Sequence, residues 1–146
     1  MEFKIDKDNT GEILSAVEQA KQRALEIIGG KIEKYAKALC PVSPGGGGLR
    51  NSITHIVQDD EVSVGSNVKY APYVELGTGK HYTPPPAWME NNAPKGKGRP
   101  EPFWYKDEEG NWHMGFYIKA QPYLRPAVEN HISDFEDVIK GEMKNA

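Results

Sequence analysis

The stretch YAPYVELGTG, residues 70–79, frames a single helical turn between its own start and stop signals. Pro72 fits the first turn of a helix, where its missing N–H costs nothing. Gly77 adopts without penalty the left-handed conformation that closes a helix, and only four residues lie between the two, among them Glu75. The pattern predicts a one-turn helix over 71–76 that carries a carboxylate, followed by a Gly-Thr-Gly exit at an angle barred to larger residues.

Upstream of this turn, apolar residues recur every three or four positions from Ile13 to Leu39. This spacing is one face of a helix and predicts a single helix over 10–39. The pair Gly29-Gly30 interrupts the stripe, and each glycine weakens a helix by about 1 kcal/mol relative to alanine. We therefore expect a bend at the pair.

Alternating apolar residues predict a strand pair, 53–58 and 61–67, and a second hairpin over 103–117 with aromatic cross-strand pairs. A stripe that begins at a proline predicts a last helix over 126–143. With helices at the ends and strands between them, the fold class is α+β. We expect one domain, 1–146, in which a small antiparallel sheet carries the long N-terminal helix and the C-terminal helix.

Two segments have no usable periodicity. The glycine run at 45–48 lacks the Lys-Ser or Lys-Thr ending of a phosphate-binding loop and is interpreted as a flexible connector. A long irregular loop at about 79–101 is rich in proline, locally basic, and expected to be mobile in the free protein.

Amino-acid composition limits the classes of function that the chain can have. The 146 residues include 18 Lys and Arg against 21 Asp and Glu, so a net charge of −3 gives no general case for nucleic-acid binding. The hydrophobic content of 38% is low, which predicts either a partly extended chain or a core completed by partner subunits. Cys40 is the only cysteine, and no apolar run approaches the roughly 20 residues of a membrane span. Acidic residues near the N-terminus argue against a secretory signal.

Catalytic chemistry has little support in the sequence. The four histidines do not fall at metal-ligand spacing, and one cysteine cannot complete such a site. Cys40 closes an apolar stripe, where a buried inert thiol is commoner than a nucleophile. Glu75 has no partner carboxylate visible in the sequence. We expect no enzyme, no cofactor and no metal, although a hydrolase using Cys40 or Glu75 stays open as an alternative.

A small nucleic-acid-binding module is the second alternative. The loop over 80–105 combines cations with Trp88, Trp104 and Tyr105, and such combinations can stack bases. The aromatic residues also alternate as strand residues do, and a sheet face explains that pattern better.

Several short motifs occur in a fixed order: LRNSI, a strand pair, YAPYVELGTGK, the aromatic hairpin and AQPYLRPAVE. Together they resemble the tail-component family of tailed phages and prophages, whose members are also called tail-completion, minor tail or neck proteins. The sequence departs from the family at 41–48, where PVSPGGGG replaces a Pro-Val-Asp-Thr-Gly type of segment. The residues assigned to the family motifs are Leu49, Arg50, Ser52, Tyr70, Tyr73, Glu75, Gly77, Thr78, Pro122, Leu124, Arg125 and Pro126.

The resemblance implies a structural virion protein of the head–tail junction, assembled in the bacterial cytoplasm as an oligomeric ring. Its implied partners are the head connector, the tail tube or terminator, and other copies of itself, without a membrane. The candidate contact residues lie in the long loop and in the hairpin: Lys80, Trp88, Lys95, Lys97, Arg99, Trp104 and Trp112.

Glu75 needs a cation if it is partly buried. Arg50 and Arg125 are the candidates, because both lie in the family-like motifs and a guanidinium matches a carboxylate bidentately.

Overall fold

A computed structural model describes residues 10–42, 46–68, 70–89, 103–115 and 118–146. The elements occur in the order α1 (Thr10–Leu39), α2 (Gly48–Ser52), β1 (Thr54–Gln58), β2 (Glu61–Gly65), α3 (Ala71–Leu76), a 3-10 turn (Gly79–His81), β3 (Phe103–Lys106), β4 (Trp112–Gly115), α4 (Leu124–Glu129) and α5 (Ile132–Lys144). The α+β class is confirmed, as are the bounds predicted for α1 and α3.

The central element is α1, against which α2, α4, α5, β1 and β2 all pack. Its buried residues are spaced four apart from Ala20 to Ala36, so one stripe faces the other elements. The helix continues through Gly29, whose role is close approach: a Cβ there would lie 2.6 Å from Cδ2 of His55 and 2.7 Å from Cγ2 of Val62. A side chain at this position would push the β1–β2 hairpin off the helix.

The strands of the described residues form two separate two-stranded antiparallel sheets, whereas the sequence pattern predicts a single sheet. In the first, β1 pairs with β2 in the register Thr54↔Gly65. In the second, β3 pairs with β4 in the register Phe103↔Gly115. Among the described residues, the second hairpin does not pack extensively against any other element, and no strand of one sheet pairs with a strand of the other.

The C-terminal segment also differs from its predicted form, because two helices replace the single helix over 126–143. A turn at Asn130 and His131 separates α4 from α5. The His131 ring stacks on Tyr35 of α1 with centroids 3.7 Å apart, and Asp134 accepts hydrogen bonds from the Tyr35 hydroxyl at 2.8 Å and from Lys31 at 3.2 Å. These contacts hold α5 against α1 as a helix separate from α4.

The glycine-rich connector ends in the short helix α2, whose Leu49 is buried. The core lies between α1 and the elements that follow it, and Tyr123 and Ile53 are its largest fully buried side chains. The buried cluster consists of Ile28, Ile32, Ala36, Cys40, Leu49, Ile53, Ala71, Tyr123, Ala127 and Phe135.

Candidate functional site

Among the charged side chains of the described residues, that of Glu75 is the one that is buried, with 5% of its surface exposed. Its Oε2 accepts the backbone N–H groups of Tyr123 at 2.7 Å and Leu124 at 3.0 Å. Its Oε1 accepts the backbone N–H of Arg125 at 2.8 Å. The carboxylate in α3 therefore caps the first turn of α4, almost fifty residues further along the chain.

The cap satisfies two physical requirements together. The first N–H groups of a helix have no partner within the helix, and the positive end of the helix dipole favours a negative charge. No side chain of α4's own N-cap residue, Tyr123, supplies the missing acceptor. Glu75 provides it, and the three N–H donors stabilise a charge that burial would otherwise penalise.

The ion pair expected between Glu75 and a guanidinium is not formed. Arg125 contacts the carboxylate through its backbone, while its Nε pairs with Glu129, at 3.1 Å to each carboxylate oxygen. Arg50 is exposed on α2. The prediction was wrong about the partner because the donors are main-chain groups.

A second set of hydrogen bonds joins the same two segments. The N–H of Gln121 donates to the carbonyl of Val74 at 2.8 Å. The N–H of Thr78 donates to the carbonyl of Ile118 at 2.9 Å, and the N–H of Ile118 donates to Oγ1 of Thr78 at 2.8 Å. We call the two segments, residues 74–78 and 118–125, the clamp.

Gly77 lies in the clamp with the backbone of Ile118 and Ala120 close beside it. Its φ is 77° and its ψ is 177°. A Cβ would lie 2.6 Å from the carbonyl oxygen of His81, 2.8 Å from the nitrogen of Ala120 and 3.1 Å from the carbonyl oxygen of Ile118. Both the backbone conformation and the space therefore require glycine.

Tyr123 lies at the centre of the clamp and is fully buried. Its hydroxyl donates to the carbonyl of Ala71 at 3.5 Å. Burial, and then the negative charge of Glu75, raise the pKa of the Tyr123 hydroxyl far above its usual range. Tyr123 was not among the predicted site residues, although an aromatic residue between Pro122 and the start of a helix was an available signal.

The LRNSI motif, residues 49–53, supports the start of the strand pair β1–β2. Leu49 is buried in the core. Oγ of Ser52 is 2.6 Å from the Leu49 carbonyl and 2.5 Å from Oγ of Ser66. The carbonyl of Tyr70 begins α3 by accepting N–H groups, and that of Tyr73 closes it by accepting the N–H of Gly77 at 2.8 Å. These motif residues shape the fold.

The structure gives the surroundings of Cys40 and Glu75, the two residues considered for a hydrolase. Burial raises the pKa of the Cys40 thiol, which disfavours the nucleophilic thiolate. Glu75 is buried and accepts three main-chain N–H groups. A shallow surface cleft beside Tyr70 and Gln121 is lined without a charged side chain. Within the described ranges, no three His, Cys, Asp or Glu side chains converge as a metal site, and no helix is long and apolar enough to cross a membrane.

The candidate contact residues divide into two groups. Trp88, Trp104 and Trp112 are half or more exposed, and the Lys106 ammonium lies 5.0 Å from the centroid of the Trp112 ring. Lys80 lies in the 3-10 turn. The remaining three, Lys95, Lys97 and Arg99, and the part of the long loop predicted to be mobile from 90 onward, lie outside the described residues.

The profile of the family described as "Bacteriophage HK97-gp10, putative tail-component" matches residues 5–77, half of the chain. The chain belongs to this family. Membership makes the protein a structural component of a phage tail, which contacts other structural proteins of the virion. The match includes Glu75 and Gly77 and ends before α4, so of the clamp it covers residues 74–77. No curated protein and no solved structure matches the chain.

Proposed function

We propose that this tail component acts at the head–tail junction as a non-enzymatic subunit of a ring. The ring joins the head connector on one side to the tail tube or its terminator on the other. Protein–protein contacts perform this function, and the chain is carried in the virion after assembly in the host cytoplasm.

The clamp supports a structural role for the motif residues. The carboxylate of Glu75 accepts three of the chain's own amide N–H groups, and Gly77 is required by space and backbone conformation. Glu75 is also buried, with 5% of its surface exposed. The motif therefore maintains the shape of a subunit.

The structural observation that carries the proposal is the exposed aromatic hairpin β3–β4. Trp104 and Trp112 expose 54% and 62% of their surfaces. Apolar surface left open on a soluble protein commonly marks a contact with another protein. Tryptophan is also among the residues that contribute most to binding energy at interfaces.

A complementation experiment tests the role. A phage lacking the gene should accumulate filled heads and finished tails that do not join, and the wild-type chain supplied in trans should restore infectious particles. As a control, Ile56→Ser alters an exposed apolar residue of the other hairpin and should complement fully. Joined particles from the phage lacking the gene would refute the proposal.

A further inference from the structure

The first three turns of α1 project beyond the elements that cover the rest of the helix. The buried stripe begins at Ala20, and none of residues 10–19 is buried. The apolar stripe nevertheless continues toward the N-terminus through Val17, Leu14 and Ile13, which expose 42%, 64% and 60% of their surfaces. An amphipathic face is thus present without a partner among the described residues. We call residues 10–20 the projecting end of α1.

The hairpin β3–β4 has a second uncovered face. Trp104 pairs with Met114, and Lys106 pairs with Trp112. Residues two apart in a strand share a face, so these four side chains lie together. Met114 is also about half exposed, and we call the set the hairpin face.

The charges on the two surfaces are complementary. Lys106 is the only charged residue of the hairpin face. The projecting end carries Glu12 and Glu18. Glu18 also pairs with Lys21, the residue that follows the projecting end in α1, at 2.7 Å, so the two carboxylates still outnumber the one cation beside them. A contact between two hairpin faces would oppose Lys106 to its own copy, and a contact between two projecting ends would oppose carboxylates. A contact between unlike surfaces brings opposite charges together.

We propose that neighbouring copies of this chain join head to tail, with the hairpin face of one copy packed on the projecting end of α1 of the next. The two surfaces do not overlap, so each subunit has one of each to offer, and contacts of this kind close into a ring when the rotation permits. The inference rests on the proposed ring and names the surfaces from which it is built.

The size of the surfaces sets the expected affinity. A buried tryptophan contributes about 150–250 Å², whereas a stable interface takes about 800 Å² from each partner. The two tryptophans of the hairpin face, already partly covered, supply only part of that area. The free protein therefore associates weakly, and the ring closes on a particle that supplies further contacts.

Site-directed cross-linking distinguishes the arrangements. Val17→Cys and Met114→Cys are prepared separately, and Cys40 stays in place because it is buried. Treated with a short bismaleimide, the mixture of both variants should give heterodimers about tenfold more efficiently than either variant alone. A chain carrying both substitutions should give a ladder of higher oligomers. The matched control mixture is Met114→Cys with Ile56→Cys, an exposed strand residue outside both surfaces.

Three results would overturn the proposal. Efficient cross-linking of one variant with itself would mean like surfaces meet. Equal cross-linking of the control mixture would mean random collision. Absence of heterodimers at high protein concentration would mean the two surfaces do not meet.

Charge reversal provides a second readout that a folding defect would not reproduce. With Lys106→Glu in the Met114→Cys copy, heterodimer yield should fall by roughly tenfold, because like charges then face each other. Adding Glu18→Lys to the Val17→Cys copy should restore most of the yield. A loss without restoration would count against the pairing of these surfaces.

Cross-linking within particles separates this inference from the proposed function. If the chain is found at the junction but the doubly substituted chain forms no ladder there, the inference fails and the function stands. If the doubly substituted chain forms a ladder but is absent from the junction, the inference stands and the proposed function fails. Cross-links from the hairpin face to a different virion protein, or from the projecting end to residues 1–9 of the same chain, would also refute the inference.

Discussion

Glu75→Gln tests the clamp at its centre, because it keeps the size of the side chain and removes the charge. In the wild type, one oxygen accepts two N–H groups and the other accepts one. Glutamine has a single acceptor oxygen, so in its better orientation it keeps two of the bonds. Its NH₂ group then faces the N–H of Arg125, where two donors oppose each other.

The expected cost follows from these lost interactions. A hydrogen bond to a charged group contributes about 1.5–3 kcal/mol. A favourable charge at a helix N-terminus adds about 0.3–1 kcal/mol, and up to about 2 kcal/mol when it is partly buried. We expect Glu75→Gln to lower the free energy of unfolding by roughly 2–4 kcal/mol. Each kcal/mol corresponds to a fall in Tm of about 3 °C for a chain of this size.

Urea unfolding and thermal unfolding of the purified variants measure this loss. The matched control is Glu129→Gln, which removes the exposed ion pair with Arg125 and should cost only about 0.3–0.5 kcal/mol. Arg125→Ala should be similarly mild, because its backbone N–H remains. If Glu75→Gln is as stable as the wild type, or Arg125→Ala is as damaging as Glu75→Gln, the capping role is refuted.

Three further outcomes are expected. Gly77→Ala should cost at least about 1–3 kcal/mol, since it adds a Cβ within 2.6 Å of a carbonyl oxygen at a φ of 77°; an unchanged urea midpoint would contradict this. Hydrogen bonds to Glu33 and Glu26 raise the pKa of His55. The stability that His55 contributes should therefore be full below about pH 6.5 and lost as the pH rises through the raised pKa. A constant stability difference between His55→Gln and wild type from pH 5 to 9 would refute this. Deleting residues 83–99 should leave a folded domain whose particles fail to join heads to tails; normal infectivity would remove the loop from assembly.

The sequence was informative where one strong local signal decides the structure. The apolar stripe of α1 and the Pro72 to Gly77 frame of α3 give the bounds of both helices. Both signals lie within the element that they specify. The α+β class follows from the order of such elements.

Other features depend on contacts between distant segments, which local patterns do not encode. The alternation of apolar and polar residues in β2 and β3 does not specify whether these two strands pair with each other. The sequence pattern therefore could not distinguish two separate sheets from a single one. The turn at His131 reflects stacking on Tyr35. The helix α2 is too short for periodicity to be visible.

The partner of Glu75 was missed for a related reason. Every residue except proline carries a backbone N–H, so such donors leave no mark on a sequence. Among side chains, the guanidinium groups of Arg50 and Arg125 were the cations that the motifs made visible. Arg125 was correctly predicted to lie beside Glu75. Its backbone N–H makes the contact, whereas its guanidinium was predicted to do so.

Cryo-electron microscopy of the phage particle at side-chain resolution tests the proposed role most directly. We expect a closed ring of copies of this chain between the head connector and the tail tube, with Trp104 and Trp112 of each copy against Ile13 and Val17 of the next. A junction in which no density fits this chain, or a particle that carries it elsewhere along the tail, would contradict the proposal.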